Sequence, residues 1–272
     1  MKRIMVLSML VLLSFSIAVQ AADLDELEII DGMVGLNHYQ RINNNQYNGY
    51  YAWAKARYRP FFIRTPQSLY GFGFFANLER PWGEALTSEY SNYQGAIGFN
   101  LNFKYQSWYA DLDFGLGRLR SEVENGLYQS RQWDNYFSSF LHVGIDTRRR
   151  SGRKLFPKTA FNAGLNDILS SKTVRNYNGE KLKPISYDNS RYEFSVLQEI
   201  YDWRSNGWRF GPGIEFGYGR DSDPQKDFRK IGLTFSFYSS GNLFRIHYNY
   251  SDQLGGVKDR HYLKLFYWRH FE

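Results

Sequence analysis

Apolar and aromatic side chains recur at every second position over much of the chain, which is the period of a β-strand with two different faces. The clearest stretch runs from Tyr93 to Tyr105, where one face is apolar and carries aromatic residues at both ends. The opposite face is small and polar, and it consists of Gln94, Ala96, Gly98, Asn100, Asn102 and Lys104. Each such stretch is predicted to be a strand with one apolar side and one polar side.

Twelve stretches show this pattern, and each is close to the ~9–11 residues that a tilted strand needs to cross a bilayer. They are residues 32–43, 48–60, 69–79, 91–105, 108–119, 133–146, 154–166, 190–203, 207–219, 228–238, 242–251 and 260–271. Pro157 and Pro212 interrupt two of them, which a strand tolerates at a bulge or at a gap in its ladder. About twelve strands are therefore expected, with ten and fourteen as alternatives.

The connections between these strands differ in length at the two ends. If the strands alternate in direction, one end has the connections 61–68, 106–107, 147–153, 204–206 and 239–241. The other end has the mostly longer connections 44–47, 80–90, 120–132, 167–189, 220–227 and 252–259. Short periplasmic turns and long outer loops are typical of outer-membrane barrels. This asymmetry predicts that both termini lie in the periplasm and that Asn166 to Asn189 form a mobile outer loop.

The N-terminal segment has the features of an export signal. Lys2 and Arg3 precede an apolar stretch, and Val19-Gln20-Ala21 provides small residues where a signal peptide is cleaved. Residues 1–21 are therefore predicted to be a signal peptide, residues 22–31 a short periplasmic segment, and residues 32–272 the barrel. After residue 21 no run of 18 apolar residues occurs, so no membrane-spanning helix is predicted.

The composition distinguishes between two folds that both alternate. Aromatic residues make up 19% of the chain, with 22 Tyr, 22 Phe and 7 Trp. A soluble two-sheet sandwich, the alternative, would bury Val, Ile and Leu and scatter its aromatic residues. Here the aromatic residues cluster at strand ends, as they do in the girdles of membrane barrels. The predicted fold class is an all-β, transmembrane, antiparallel up-and-down barrel. Cysteine is absent, which excludes disulfides and thiolate metal sites.

The last predicted strand resembles the C-terminal strand of Gram-negative outer-membrane β-barrels, which the assembly machinery reads and which usually ends on an aromatic residue. Its apolar face consists of Leu263, Leu265, Tyr267 and Phe271, whereas Arg269 and Glu272 depart from the pattern. The resemblance implies a location in the outer membrane, with lipid and the assembly machinery as partners and Tyr267 and Phe271 as the assembly signal. Chain length and strand count are similar to those of small oligosaccharide-selective channels and of barrels attached to exopolysaccharide export.

The polar faces predict which charges line the lumen. The basic residues in phase are Lys55, Arg57, Arg59, Lys104, Arg191, Arg209, Lys230, Arg245 and Lys264. The acidic residues in phase are Glu79, Asp111, Asp113, Asp146, Glu193, Glu199 and Glu215. Three of the cations, Lys55, Arg57 and Arg59, follow one face of one strand at a spacing of about 6–7 Å. They could attract anions along a pore, or they could pair with the acids and fill the lumen.

Three functions follow from these residues. The first is a porin-like channel for small hydrophilic, anionic solutes such as acidic oligosaccharides. The second is a closed structural or export-linked barrel whose outer loops contact a surface polysaccharide or another partner. The third is a lipid-modifying enzyme, which would need a hydroxyl nucleophile beside a histidine base. The nearest pair, Ser138 and His142, lies four residues apart on one strand, so an enzyme is not expected. No cofactor or metal is expected, and no nucleic-acid partner despite a formal net charge of +7.

Overall fold

The computed structural model of the protein describes residues 30–41, 49–82, 90–125, 128–147, 154–182, 191–221, 226–239, 242–254 and 260–270. These residues form β1 (Ile30–Arg41), β2 (Gly49–Arg64), β3 (Ser68–Trp82), β4 (Tyr90–Tyr105), β5 (Trp108–Asn125), β6 (Tyr128–Asp146), β7 (Leu155–Tyr177), β8 (Glu180–Leu182), β9 (Arg191–Tyr201), β10 (Trp203–Ser205), β11 (Trp208–Asp221), β12 (Lys226–Ser239), β13 (Asn242–Leu254) and β14 (Arg260–His270). Within these ranges no helix is long and apolar enough to cross a membrane. The predicted signal peptide lies outside the described residues.

Twelve of the strands close into an antiparallel barrel. Each pairs with its neighbour along the chain, β9 lies between β7 and β11, and β14 pairs back onto β1. The two remaining strands, β8 and β10, are three residues long and extend the edges of β7 and β11. The predicted fold class and strand count are confirmed. Asp31 pairs with His270, so the barrel starts and finishes at the same end, as an even count requires.

The two faces of the barrel wall are inverted relative to a soluble protein. Outward side chains are apolar, as at Ile97, which is 70% exposed. Inward side chains are polar and buried, as at Asp113, which is 2% exposed. The alternative of a soluble sandwich is therefore wrong, because a sandwich buries its apolar face. The outward face suits contact with lipid, and the polar groups of the strands lie in the lumen.

Prolines lie where the hydrogen-bond ladder is interrupted. Pro157 lies within a register shift between β7 and β9, and the pairing of β11 with β9 stops at Gly213, next to Pro212. Both positions confirm the prediction that these prolines occupy a bulge or a gap. Pro60, which follows Arg59, lies in a further bulge between β2 and β3. Arg59 also lies within this register shift, and its buried side chain still shares the inward face with Lys55 and Arg57.

Two predicted outer loops are largely strand. β7 continues to Tyr177, so the first half of the predicted mobile loop 167–189 pairs with β6 instead. The predicted loop 120–132 is shortened in the same way, because β5 reaches Asn125 and β6 begins at Tyr128. In these extensions most positions on both faces are polar, so the alternation that marks a strand is weak. β1 also begins at Ile30, which places Asp31 in the barrel rather than in the predicted segment 22–31.

Candidate functional site in the barrel lumen

The three predicted cations of β2 do face the lumen together. The next strand, β3, presents Gly71 to the lumen beside them, and a Cβ there would lie 3.1 Å from Cδ of Arg59. The missing side chain makes room for Arg59, which reaches across β3 towards Asn100 of β4 and Asp111 of β5. Inward glycine at this position thus accommodates a large neighbouring side chain.

Arg57 and Lys55 meet the carboxylate of Asp113 on β5. Arg57 donates from Nη2 to Asp113 Oδ2 at 2.7 Å and from Nε to Oδ1 at 3.0 Å, which is a two-pronged contact. Lys55 donates to the same carboxylate, and Asn100 donates to Oδ1 at 2.7 Å. On its other side, Arg57 lies 3.4 Å from Asp31 of β1. A single aspartate is thereby surrounded by three donor side chains.

Arg59 continues the same arrangement along β2 towards the short turns. Its Nη2 donates to Asp31 Oδ2 at 2.7 Å and lies 3.2 Å from Asp111 Oδ1, while its Nε donates to Asn100. Asn102 donates to Asp111 at 2.9 Å. We call this set the ladder cluster, consisting of Asp31, Lys55, Arg57, Arg59, Asn100, Asn102, Asp111 and Asp113.

The ladder cluster is electrically balanced and buried. Three cations face three carboxylates, and the side chains of Arg57 and Arg59 are each 3% exposed. Buried charges persist only when they are paired and hydrogen-bonded. This arrangement favours the second interpretation of the lumen charges, in which bases and acids pair. Asp31 was missed as a site residue, although its phase with Met33 and Gly35 on β1 is the signal that could have identified it.

The opposite wall carries a second set of charges on β9 and β11 to β13. Lys230 lies 2.6 Å from Glu193 and 2.9 Å from Glu215, and His247 lies against Glu215. The inward neighbours Thr234 and Asn249 lie over Gly213 and Gly232. We call this set the glutamate cluster, consisting of Glu193, Glu215, Lys230, Thr234, His247 and Asn249. Thr234 Oγ1 and Asn249 Oδ1 are buried there without a hydrogen-bond partner among the described residues.

Further pairs fill the lumen near the short turns. Glu199 is fully buried, accepts from the Tyr238 hydroxyl and lies 3.7 Å from Arg245. Arg245 also lies over the ring of Phe266. The half of the lumen nearer the short turns, which we call the turn-side half, is therefore packed with buried polar groups from both walls.

The candidate histidine base lies in the same region. His142 shares a hydrogen bond with Asn162, whose amide donates to Ser195 at 3.1 Å. Ser138 remains four residues away along β6, as the sequence indicated. Among the described residues, no three His, Cys, Asp or Glu side chains are grouped so that they could hold a metal ion.

On the β9 wall, the lumen is more accessible at its end near the long connections. Arg191 and Glu193 lie on its wall with side chains that are 44% and 32% exposed. Phe140 pairs with Asp113 and so lies at the level of the ladder cluster, where the Lys55 ammonium lies 5.3 Å from its ring centre. Nearer the long connections on that wall, Phe75, Ala96 and Tyr136 are buried against one another. We call the exposed part of the lumen at Arg191 and Glu193 the vestibule.

The remaining predicted lumen residues also lie in phase with inward side chains. Lys104 is in phase with Asn102 and Arg209 with Gly211, while Lys264 pairs across the strands with His247. Glu79 accepts from Gln94 at 2.6 Å. In the predicted assembly signal, Tyr267 faces outward and its hydroxyl donates to Asn242. Phe271 lies outside the described residues.

Comparisons with known proteins identify the fold class. No protein-family model and no curated sequence matches the chain. The β domain of the Bordetella autotransporter BrkA is similar with a TM-score of 0.58 and 11% identity, over 89% of this chain and 98% of that one. The transport unit of AIDA-I from Escherichia coli is similar with a TM-score of 0.51 and 9% identity, over 92% of each chain. The KdgM porin is a more distant match, with a TM-score of 0.36 and 10% identity, over 86% of this chain and 98% of that one. The fold is thus that of the outer-membrane β-barrels.

Proposed function

We propose that the protein is an outer-membrane channel for small hydrophilic solutes, and that buried ion pairs in the turn-side half close its path at rest. The observation that carries this proposal is the contrast within one lumen. The vestibule on the β9 wall has exposed charged side chains, whereas the ladder cluster on the opposite wall is buried and fully paired.

The polar character of the closed half supports a path rather than a structural filling. Replacing buried ion pairs by apolar side chains of similar volume is often neutral or stabilising, so a barrel that only had to be filled would not need them. Ion pairs can separate and become hydrated while the strands stay in place. A solute that reaches the vestibule could then pass when side chains such as Arg57 and Asp113 part.

The charge balance also shapes the expected selectivity. The predicted anion track needs cations that face water, but Lys55, Arg57 and Arg59 meet three aspartates. We therefore propose that the resting protein has little charge preference. Preference for anions such as acidic oligosaccharides would emerge when an aspartate of the ladder cluster is neutralised, because rings of basic side chains select anions.

Single-channel recording of the purified full chain in planar bilayers tests this proposal. We expect brief, rare openings for the natural protein. Asp113→Asn should raise the open fraction several-fold and shift the reversal potential towards anions, whereas Lys55→Gln should shift it towards cations. Thr234→Val, which removes no ion pair, is the matched control. Silence of the natural protein and of Asp113→Asn alike would overturn the channel proposal.

A second candidate is the closed, export-linked barrel, and the burial of charge on both walls favours it. Its strands also extend beyond the apolar band, since β6 and β7 pair as far as Tyr128 and Tyr177. This candidate expects no conductance in any lumen variant. If it is correct, a surface polysaccharide should bind the protein, and shortening the β7–β8 hairpin should abolish this binding.

A further inference from the structure

The outer face of the barrel carries a group of basic side chains at the end with the long connections. They lie on β3, β5, β6 and β7, on one side of the barrel, in phase with outward apolar residues such as Leu78 and Leu116. We call this group the outer basic patch, consisting of Arg80, Arg118, Arg120, Arg131 and Lys172.

The strand register brings these residues side by side. Arg120 pairs with Trp133 of β6, and Trp133 pairs with Lys172 of β7, so the three share one row on one face. Arg131 pairs with Glu122 in the next row. Neighbouring strands are about 4.8 Å apart, so the patch spans roughly 10–20 Å of the barrel wall.

The patch has a clear excess of positive charge. Glu122 accepts from Arg120 at 2.6 Å and lies 3.2 Å from Arg131. Arg131 nevertheless keeps a side chain that is 62% exposed. Arg118 and Lys172 are exposed and have no ion-pair partner within the part of the chain that the structure describes. Several guanidinium and ammonium groups are thus available on the outer wall.

The depth of the patch matches the boundary between lipid and water. Directly beneath it lie exposed apolar side chains, which include Ile97, Leu116 and Leu169. Tyr93 and Trp133 lie in the same row as Arg120, and aromatic residues of this kind mark the interfacial level of a membrane barrel. Cations at this level face lipid headgroups rather than acyl chains.

The opposite side of the barrel has a different balance of charge. At a comparable level on β11 and β12, Arg220 lies 3.7 Å from Asp227 of the neighbouring strand. Arg229 is an exposed outward cation in this region. Among the described residues of β11 and β12, basic side chains are therefore not clustered as they are on β3 to β7.

We propose that the outer basic patch binds the phosphate groups of a phosphorylated glycolipid in the outer leaflet. Arginine pairs with phosphate through two parallel hydrogen bonds, and cations spread over several strands suit a lipid that carries more than one phosphate. The apolar band below would contact the acyl chains of the same molecule. This site lies on the outside of the wall, so it does not depend on whether the lumen conducts.

Native mass spectrometry of the detergent-solubilised full chain tests the proposal. The probes are bisphosphorylated lipid A, phosphatidylglycerol and phosphatidylcholine, each added at equal concentration. We expect the natural protein to retain lipid A in preference to both phospholipids. The triple variant Arg118→Gln, Arg131→Gln, Lys172→Gln should lose about tenfold or more of this retention, because each cation near the surface adds to the attraction for anionic lipid.

Two controls separate binding from folding. Arg229→Gln on the opposite side should leave lipid A retention unchanged. Arg118→Lys with Arg131→Lys, which keeps both charges but not the two-pronged contacts, should retain more lipid A than the triple variant and less than the natural protein. If the triple variant does not fold, Arg118→Gln and Lys172→Gln are tested singly, since neither disturbs the Glu122 pairs, and each should weaken retention several-fold. Undiminished retention in these variants, or equal retention of phosphatidylglycerol and lipid A, would overturn the proposal.

Discussion

The two walls of the lumen hold similar polar groups, but they differ in how many of these groups have hydrogen-bond partners. In the ladder cluster, Arg57 and Arg59 each bridge two aspartates, and the neighbouring amides fill the remaining acceptor positions. In the glutamate cluster, Lys230 bridges Glu193 and Glu215, but Thr234 Oγ1 and Asn249 Oδ1 have no partner within the described residues. One wall is thus fully connected, and the other leaves buried oxygens unsatisfied.

The difference follows from the donors that each wall supplies. A guanidinium offers five N–H groups in a planar fork, whereas an ammonium is a compact charge with three donors. Arg57 and Arg59 can therefore hold carboxylates on both sides of β2 at once. The glutamate cluster has one lysine and one histidine for the same task. We expect the ladder wall to contribute more to the stability of the barrel than the glutamate wall.

Asp113→Ala should have the largest effect on this comparison. It leaves Lys55 and Arg57 buried without their main carboxylate, and removal of one partner from a buried pair costs about 3–5 kcal/mol. The free energy of unfolding should fall by that amount. Urea unfolding in lipid vesicles, followed by tryptophan fluorescence, measures it.

A double replacement controls for the loss of charge pairing. Asp113→Leu combined with Arg57→Met removes both members of the strongest pair, and it should recover part of the stability lost in Asp113→Ala. A loss below about 1 kcal/mol in Asp113→Ala alone would contradict the view that the ladder wall is the connected one, since that is the cost of an exposed pair.

Glu215→Gln should have an intermediate effect. Lys230 keeps Glu193 as an acceptor, so the change weakens the glutamate cluster without leaving an isolated charge. The expected loss is about 1–3 kcal/mol, which is the range for a buried polar group that loses one partner. The same unfolding measurement applies. If the loss equalled that of Asp113→Ala, the two walls would be equally connected and the comparison would fail.

The sequence was sufficient to predict the strands, their faces and the barrel. Alternation identifies which side chains point inward, because it depends only on the period of two along each strand. For this reason Lys55, Arg57 and Arg59 could be placed together on the inner face, and Asp111 and Asp113 likewise. The interruptions at Pro157 and Pro212 could also be predicted, because a proline affects the hydrogen-bond ladder only locally.

The pairing of these groups could not be predicted in the same way. Arg57 and Asp113 are separated by 56 residues, and their contact depends on the registers of β2 with β3, β3 with β4 and β4 with β5. A change of one residue in any register would turn the partner to the other face. The extension of β7 to Tyr177 was missed for a related reason, because strands above the apolar band have only weak alternation to mark them.

Thr234→Val should have the smallest effect, and it tests the incomplete wall directly. The Thr234 hydroxyl is buried without a partner, so replacing it with a methyl group of similar shape removes a desolvation cost and no hydrogen bond. Stability should change by less than about 1 kcal/mol and should rise rather than fall.

Ser236→Ala is the matched control, because Ser236 lies two residues further along β12 on the same face and accepts from Arg245 Nε at 2.7 Å. Its loss should cost about 1.5–3 kcal/mol, as expected for a buried hydrogen bond to a charged group. If both variants lost stability equally, Thr234 would have a bound partner such as water, and the glutamate wall would be as complete as the ladder wall.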